Sequence, residues 1–319
     1  MKDILKKIKF IEKYYLHYAL FILSFLIYIF TRHFIFAFLG GVSILLIVGI
    51  DITKGSIKKG IKHEIKEILI AIILALSIWF GLVLILGTSI PINAIVSCSM
   101  LPNYERGDLI ILRGTTEVKA PTIFVENPKL INNTAIINIS NETVSIDGSL
   151  FVYCMDNNSD FCIDFKTYPQ KYYEFHGPLK FNYGICTRKY ISDNILRDTI
   201  CVKSIEYQNQ VHLLDSSNDI LVYEPKKEDL FALTGDIIHR VYLEIDSPEG
   251  KYYLIKGDNN AIFDIQMYSS SYERGNSLVS QEQSKGVVIL RTPYLGYAKL
   301  FLFGMWVEPQ GCESFFVEN

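Results

Sequence analysis

The sequence predicts N-terminal transmembrane helices followed by a mainly β domain on the far side of the membrane. Three observations predict this. Three apolar runs precede Thr88, clusters of lysine mark one end of them, and beyond Thr88 the apolar residues fall into short stretches separated by turn formers. The composition agrees. Of 319 residues half are hydrophobic and a fifth are charged, as expected of an anchored protein with a folded aqueous part. The net charge of −3 gives no hint of a nucleic-acid partner.

The apolar runs cover residues 14–31, 34–50 and 68–88. A helix needs about 17–25 apolar residues to cross a bilayer, which the third run meets comfortably and the first two just meet. The first run could also be read as a cleavable signal peptide, but it is long and lacks a small-x-small cleavage site. Lys2, Lys6, Lys7, Lys9 and Lys13 precede it, and Lys54, Lys58, Lys59, Lys62 and Lys66 lie between the second and third runs. Lysine and arginine are retained on the cytoplasmic side. Both clusters are therefore expected inside, and everything after Thr88 outside. Arg32, in the short turn between the first two runs, opposes this orientation and is outnumbered.

Outside features follow. Asn132, Asn138, Asn141 and Asn157 each begin an Asn-x-Ser/Thr acceptor pattern, all beyond the third run. Six cysteines are present. On an oxidising face Cys154, Cys162, Cys186 and Cys201 are expected to pair. Four cysteines allow three connectivities; the two local pairs, Cys154 with Cys162 and Cys186 with Cys201, are preferred. Cys98 and Cys312 are expected to remain free thiols. No tight Cys-x-x-Cys suggests zinc. Stretches 109–112, 135–139, 144–153, 237–245, 252–255 and 287–290 are rich in Val, Ile, Leu and Tyr and read as strands. Ser247-Pro248-Glu249-Gly250 reads as a turn between two of them.

Chemistry concentrates in three stretches. Ser97-Cys98-Ser99-Met100-Leu101-Pro102 follows the third run and leads through Arg106-Gly107-Asp108 into a strand. A serine nucleophile needs a base within hydrogen-bond reach, because its hydroxyl is weak at neutral pH. His239, in Ile237-Ile238-His239-Arg240-Val241, is the base candidate. Asp258 and Asp264 follow in Lys256-Gly257-Asp258-Asn259-Asn260-Ala261-Ile262-Phe263-Asp264. Singly, each has a plain structural reading: a polar surface serine, a packed strand histidine, an Asp-Asn-Asn turn. Their order along the chain gives them weight together.

In that order they resemble signal peptidase I, in its archaeal and endoplasmic-reticulum branch. The resemblance rests on Ser97-Cys98-Ser99-Met100 with Pro102 and Arg106-Gly107-Asp108, on His239-Arg240-Val241, on the Lys256–Asn260 box with Asp264 beyond it, and on Pro293-Tyr294-Leu295-Gly296. It implies a signal-peptidase-like β catalytic domain formed by residues 93–114 and 232–304. A membrane domain of three helices (1–92) precedes it, a large β-rich subdomain (115–231) is inserted in it, and a tail (305–319) follows. The compact members lack an insertion of that length, and two of the membrane runs are additional.

The resemblance further implies cleavage of secretory signal peptides by acyl transfer. Ser99 would attack, His239 would move the proton, and Asp264 would orient His239. Asp258 would be a second carboxylate, supporting that geometry or organising its loop. Ser97 Oγ and the Ser99 backbone N–H would stabilise the oxyanion, while Arg106 and Asp108 would be structural. No metal or cofactor is implied. The partners would be secretory preproteins, the lipid bilayer and the protein-translocation channel, at a multi-pass site in the cell membrane. A peptidase restricted to surface precursors, or an anchored ectodomain that binds without cutting, would be the alternatives. Finally, the aromatic stretch after Tyr294 is expected to lower Phe301, Phe303 and Trp306 into the outer leaflet.

Overall fold

The computed structural model describes residues 2–31, 33–139, 142–155 and 157–317; the side chains of 2–15 and 54–59 are not described. Arg32, Ser140 and Asn141, on which the topology conflict and two acceptor patterns rest, lie outside the described residues. Three helices open the chain: α1 (Lys2–Thr31), α2 (Phe34–Lys59) and α3 (Ile61–Leu86). Phe34–Thr53 of α2 and the whole of α3 are long and apolar enough to cross a membrane. Among the described residues α1 contributes a shorter apolar stretch, Leu16–Thr31.

Beyond α3 the chain builds two sheets. β1 (Ile92–Ala94), β2 (Leu109–Arg113) and β3 (Thr122–Phe124) begin the first. β4 (Thr134–Ile139), β5 (Glu142–Asp147), β6 (Tyr173–His176), β7 (Leu179–Tyr190), β8 (Leu196–Tyr207) and β9 (Gln210–Leu213) form the second, with helices α4 (Leu150–Met155) and α5 (Asp160–Thr167) after β5. The chain then returns to the first sheet with β10 (Ile220–Tyr223), β11 (Ile237–Ser247) and β12 (Gly250–Lys256). A small hairpin, β13 (Tyr268–Ser269) and β14 (Arg274–Gly275), is followed by β15 (Val279–Ser280) and β16 (Ser284–Thr292). Helix α6 (Tyr297–Leu302) and β17 (Ser314–Phe316) come last. The first sheet runs β1-β2-β16-β10-β11-β12-β15 with β3 parallel to β11; the second runs β5-β4-β6-β7-β8-β9 with β17 on β7.

β11 is the strand around which the site is built. Its central residues are buried without alternation, which is the pattern of a strand covered on both faces. Tyr242, Leu243 and Ile245 pack in one core with Phe165, Leu179, Phe181, Val202 and Ile205 of the second sheet and its helices. Val241 packs in another with Leu221, Tyr223, Tyr253 and Val287. The Ser247–Gly250 turn joins β11 to β12 as read from the sequence.

Four expectations are corrected. The stretch 144–153 is not one strand: β5 ends at Asp147 and α4 begins at Leu150. Gly148 takes φ 79° at the break, a conformation that only glycine adopts freely. Its Cα also lies so close to Tyr268 that a Cβ would stand 2.6 Å from that side chain. Second, Ile220–Tyr223 belongs to the first sheet, between β16 and β11, so the expected boundary at residue 231 falls after a strand of the sheet it was meant to precede. Third, the tail is not separate, because Ser314–Phe316 pairs with Arg188–Tyr190 of β7.

Fourth, the aromatics of the last helix are not all turned outward. Phe301 is buried against Phe21, Phe25 and Tyr28 of α1, and its ring fits against Gly40 of α2, where a Cβ would stand 2.8 Å away. Trp306 is half-buried and its Nε1–H donates to the Phe301 carbonyl at 2.9 Å. Phe303 alone of the three is exposed. The α1–α2 pair offers a packed aromatic surface, and large rings gain more from that contact than from a partly wet one.

Candidate active site

The turn after β1 carries Ser99. Leu101 N–H donates to the Cys98 carbonyl and Tyr104 N–H to that of Met100, while Met100 and Leu101 are buried beneath. The turn is thus anchored by two apolar side chains and leaves Ser97 exposed and Ser99 partly so. Arg106 fixes its rear by donating to the carbonyls of Val96, Met305 and Val307. Asp108 accepts from Glu105 N–H at 2.8 Å and pairs with Arg291. Both residues hold the turn, as expected of them.

His239 projects from β11 toward this turn. Its Nε2 lies 3.0 Å from Ser99 Oγ, and its Nδ1 lies 2.7 and 2.9 Å from the two oxygens of Asp264. His239 and Asp264 are 4% and 2% exposed, so this contact is shielded from water. A carboxylate only accepts, so Nδ1 carries the proton and Nε2 accepts from Ser99. Ser97 Oγ stands 3.3 Å from Ser99 Oγ; with the Ser99 proton committed to His239, Ser97 is the donor of that pair. The structure therefore brings together Ser97, Ser99, His239 and Asp264 from three separate stretches. The arrangement can deprotonate a serine hydroxyl and hold the resulting imidazolium.

Asp258 stands elsewhere. It receives two hydrogen bonds from Arg240, at 2.7 and 2.6 Å, and one from Asn103 at 2.9 Å. His239 and Arg240 are neighbours on a strand, so their side chains leave opposite faces, and Asp258 follows Arg240. Burial alone would lower the Arg240 guanidinium, but the Asp258 contact outweighs it and its pKa is raised. Asp258 organises its loop and is not in contact with His239. Within that loop Lys256 is buried, donates to the carbonyls of Gly257 and Asn260 at 3.0 Å, and is pulled down to about 8 by desolvation. Gly257 passes so near the site that a Cβ would stand 2.7 Å from the Ser99 carbonyl and 2.9 Å from His239 Nε2.

Two contributors went unread in the sequence. Tyr223 of β10 donates its hydroxyl to Asp264 Oδ2 at 2.9 Å. Burial, then the Asp264 charge, pushes its pKa well above the usual phenol value, so it stays a donor. β10 lies beside β11 with Leu221 facing His239 in register, and only that pairing reveals the contact. Asn276 donates to the backbone carbonyl of Asp264 at 2.8 Å.

Cys98 and Cys312 are not free: they form a disulfide across 214 residues of sequence. Cys154–Cys162 and Cys186–Cys201 are also joined, and no described cysteine is free. Local spacing could signal the last two; the first depends on the C-terminal segment folding back onto β7. Two clusters of ligand-type side chains occur among the described residues. In Cys98–Glu308–Cys312 the sulfurs are bonded to each other, and His63–Glu64–Glu67 is an outward-facing turn of α3.

No family model matches the chain. Over 84 residues, 26% of this chain, it is 29% identical to the signal peptidase complex catalytic subunit of Verticillium alfalfae, spanning 44% of that protein. The corresponding subunit of Lodderomyces elongisporus is 36% identical over 87 residues, 46% of its length. An uncharacterised protein of Methanocaldococcus jannaschii is 23% identical over 219 residues, 67% of this chain and 85% of that one. The chain thus spans less than half the length of the fungal subunits it matches, and across that part its relationship is signal-peptidase-like.

Proposed function

We propose that the protein is a membrane-anchored serine endopeptidase of the archaeal and endoplasmic-reticulum signal peptidase I type, cleaving signal peptides from secretory preproteins. The observation that carries this reading is the continuous line from Ser99 Oγ through His239 to Asp264, at 3.0 and 2.7 Å. Partial similarity to signal peptidase catalytic subunits supports it.

In this mechanism Ser99 Oγ attacks the scissile carbonyl carbon as its proton passes to His239 Nε2. Asp264 stabilises the imidazolium through Nδ1–H, without itself taking the proton. The Ser99 N–H and the Ser97 hydroxyl receive the oxyanion. His239 then protonates the leaving amine, and water enters by the reverse sequence to release the acyl group. Losing a single oxyanion donor costs about 3–4 kcal/mol of transition-state stabilisation.

The substrate binds extended. Ile237 and Ile238 pair with Tyr223 and Val222 on one side, while β12 pairing on the other begins only at Arg240. That leaves a strand edge beside His239 for a peptide to add to. α2 and α3 cross the membrane, and α6, packed on α1 and α2, holds the site near the lipid, where a signal helix would present its cleavage point. The lysine clusters support an orientation with the β sheets outside. Partners are secretory preproteins, the bilayer and the translocation channel. Purified protein and Ser99→Ala, each given a preprotein in liposomes, test the reading. Processing by the wild type alone is expected, and equal processing by both would refute it.

A further inference from the structure

Asn259, which the mechanism above does not use, links the nucleophile turn to both the second sheet and the C-terminal segment. Asn259 is 5% exposed. Its side-chain nitrogen faces three carbonyl oxygens: Cys98 at 3.1 Å, Gly311 at 3.2 Å and Ser314 at 2.8 Å. Three acceptors around one terminal atom require the NH₂ there, since the amide oxygen would be repelled by all of them. Its backbone N–H donates to the Ser99 carbonyl at 2.7 Å. One residue therefore holds the carbonyls on both sides of the nucleophile.

Asn259 is itself held from the second sheet. Arg188 of β7 donates to its carbonyl at 2.8 Å and reaches Ser314 Oγ at 3.4 Å. The Arg188 guanidinium also lies over the Phe316 ring, 4.4 Å from its centre. β17 is hydrogen-bonded to that same part of β7, and Cys312, just before β17, is bonded to Cys98.

The Cys98–Ser99 peptide is planar and trans, so its C=O and N–H point in opposite directions. Fixing the Cys98 carbonyl on Asn259 therefore sets where the Ser99 N–H points. We propose that Asn259 is a positioning residue for the oxyanion donor, and that the second sheet, through Arg188 and β17, is the brace that keeps it in place. This rests on the peptidase reading for its chemistry but not for its geometry. It gives the second sheet a role inside the site: it steadies the backbone beside Ser99.

The test compares wild type, Asn259→Asp and Arg188→Ala as full-length protein in detergent. Asn259→Asp is nearly isosteric and puts a carboxylate oxygen against the three carbonyls. Its kcat is expected to fall about 10–100-fold, short of full loss of an oxyanion donor. KM should stay unchanged, since the ground-state peptide does not use that donor. Affinity for a signal-sequence peptide aldehyde, whose adduct carries an oxyanion-like oxygen, should fall by the same factor. Arg188→Ala should move the same quantities in the same direction, by less. An unchanged kcat in folded Asn259→Asp, or a rise in KM alone, overturns the proposal. If Asn259→Asp shows no cooperative melt, Arg188→Ala decides by the same criteria. If wild type leaves the preprotein uncut, the peptidase reading fails, and amide exchange at Cys98–Leu101 then tests the brace. Faster exchange in folded Arg188→Ala supports it, and identical exchange overturns it.

Discussion

At the scale of single residues, the two aspartates of one loop divide by strand geometry. Asp264 faces His239 and Asp258 faces Arg240, side chains that leave β11 in opposite directions. Their substitutions should therefore fail differently. Asp264→Asn should cut kcat by as much as about 10⁴, since the amide favours the wrong imidazole tautomer. Asp258→Asn leaves a buried guanidinium half-paired and should cost about 3–5 kcal/mol of stability. A melting curve beside a cleavage assay separates the two, and equal loss of kcat in both would contradict the assignment. Tyr223→Phe removes a hydrogen bond to a charged acceptor, worth about 1.5–3 kcal/mol. If half of that is felt in the transition state, kcat drops about 4- to 13-fold. Wild-type kcat in a folded Tyr223→Phe protein would make the tyrosine a packing residue only.

At the scale of elements, the Lys256–Asn260 loop and the C-terminal segment set the shape of the site. Lys256 is depressed to about 8 in the fold by desolvation, below its ordinary 10.5. Between those values the unfolded chain binds more protons than the folded one, so stability rises with pH there. Raising the pH from 8 toward 10 should increase the melting temperature of wild type relative to Lys256→Met. A constant gap across that range would place the lysine in a wetter setting. The C-terminal segment is tied by Cys98–Cys312, which closes a loop of 214 residues. Restricting the unfolded chain that far is worth about 5.4 kcal/mol in the loop-entropy account. Denatured, unreduced protein should show no alkylated cysteine, and all six should react after reduction. Labelled Cys98 or Cys312 before reduction would break the tie proposed between tail and nucleophile.

At the scale of the whole molecule, α6 docks the β domain on the α1–α2 pair. Phe301 lies among Phe21, Phe25 and Tyr28, and its ring touches Gly40. Tyr28 and Tyr297 meet edge-to-face at 5.9 Å. Gly40→Val should overpack this contact at a cost of about 1–3 kcal/mol. The expected sign is faster proteolysis between α2 and α3 in detergent, with cleavage of a soluble peptide little changed. An unaffected digestion pattern would mean that the helices and the domain are coupled by the chain alone.

The sequence by itself determined what depends on neighbours along the chain. Helix-length apolar runs, strand-length runs of β-branched residues, the Ser247–Gly250 turn and the two close cysteine pairs all have local causes. Ser99, His239 and Asp264 were legible because each sits in a short stretch whose residue types and order suit one chemistry. Tertiary structure decided what depends on sheet order and face. β10 enters beside β11 from a stretch that reads as insertion, and so Tyr223 reaches Asp264. The alternation of side chains along β11 sends Asp258 away from His239. Cys98 finds Cys312, and Asn259 finds Arg188, only because β17 pairs with β7. Contacts between residues far apart in sequence leave no periodicity behind. They are fixed by which surfaces can be buried together, and that is settled only when the chain has packed.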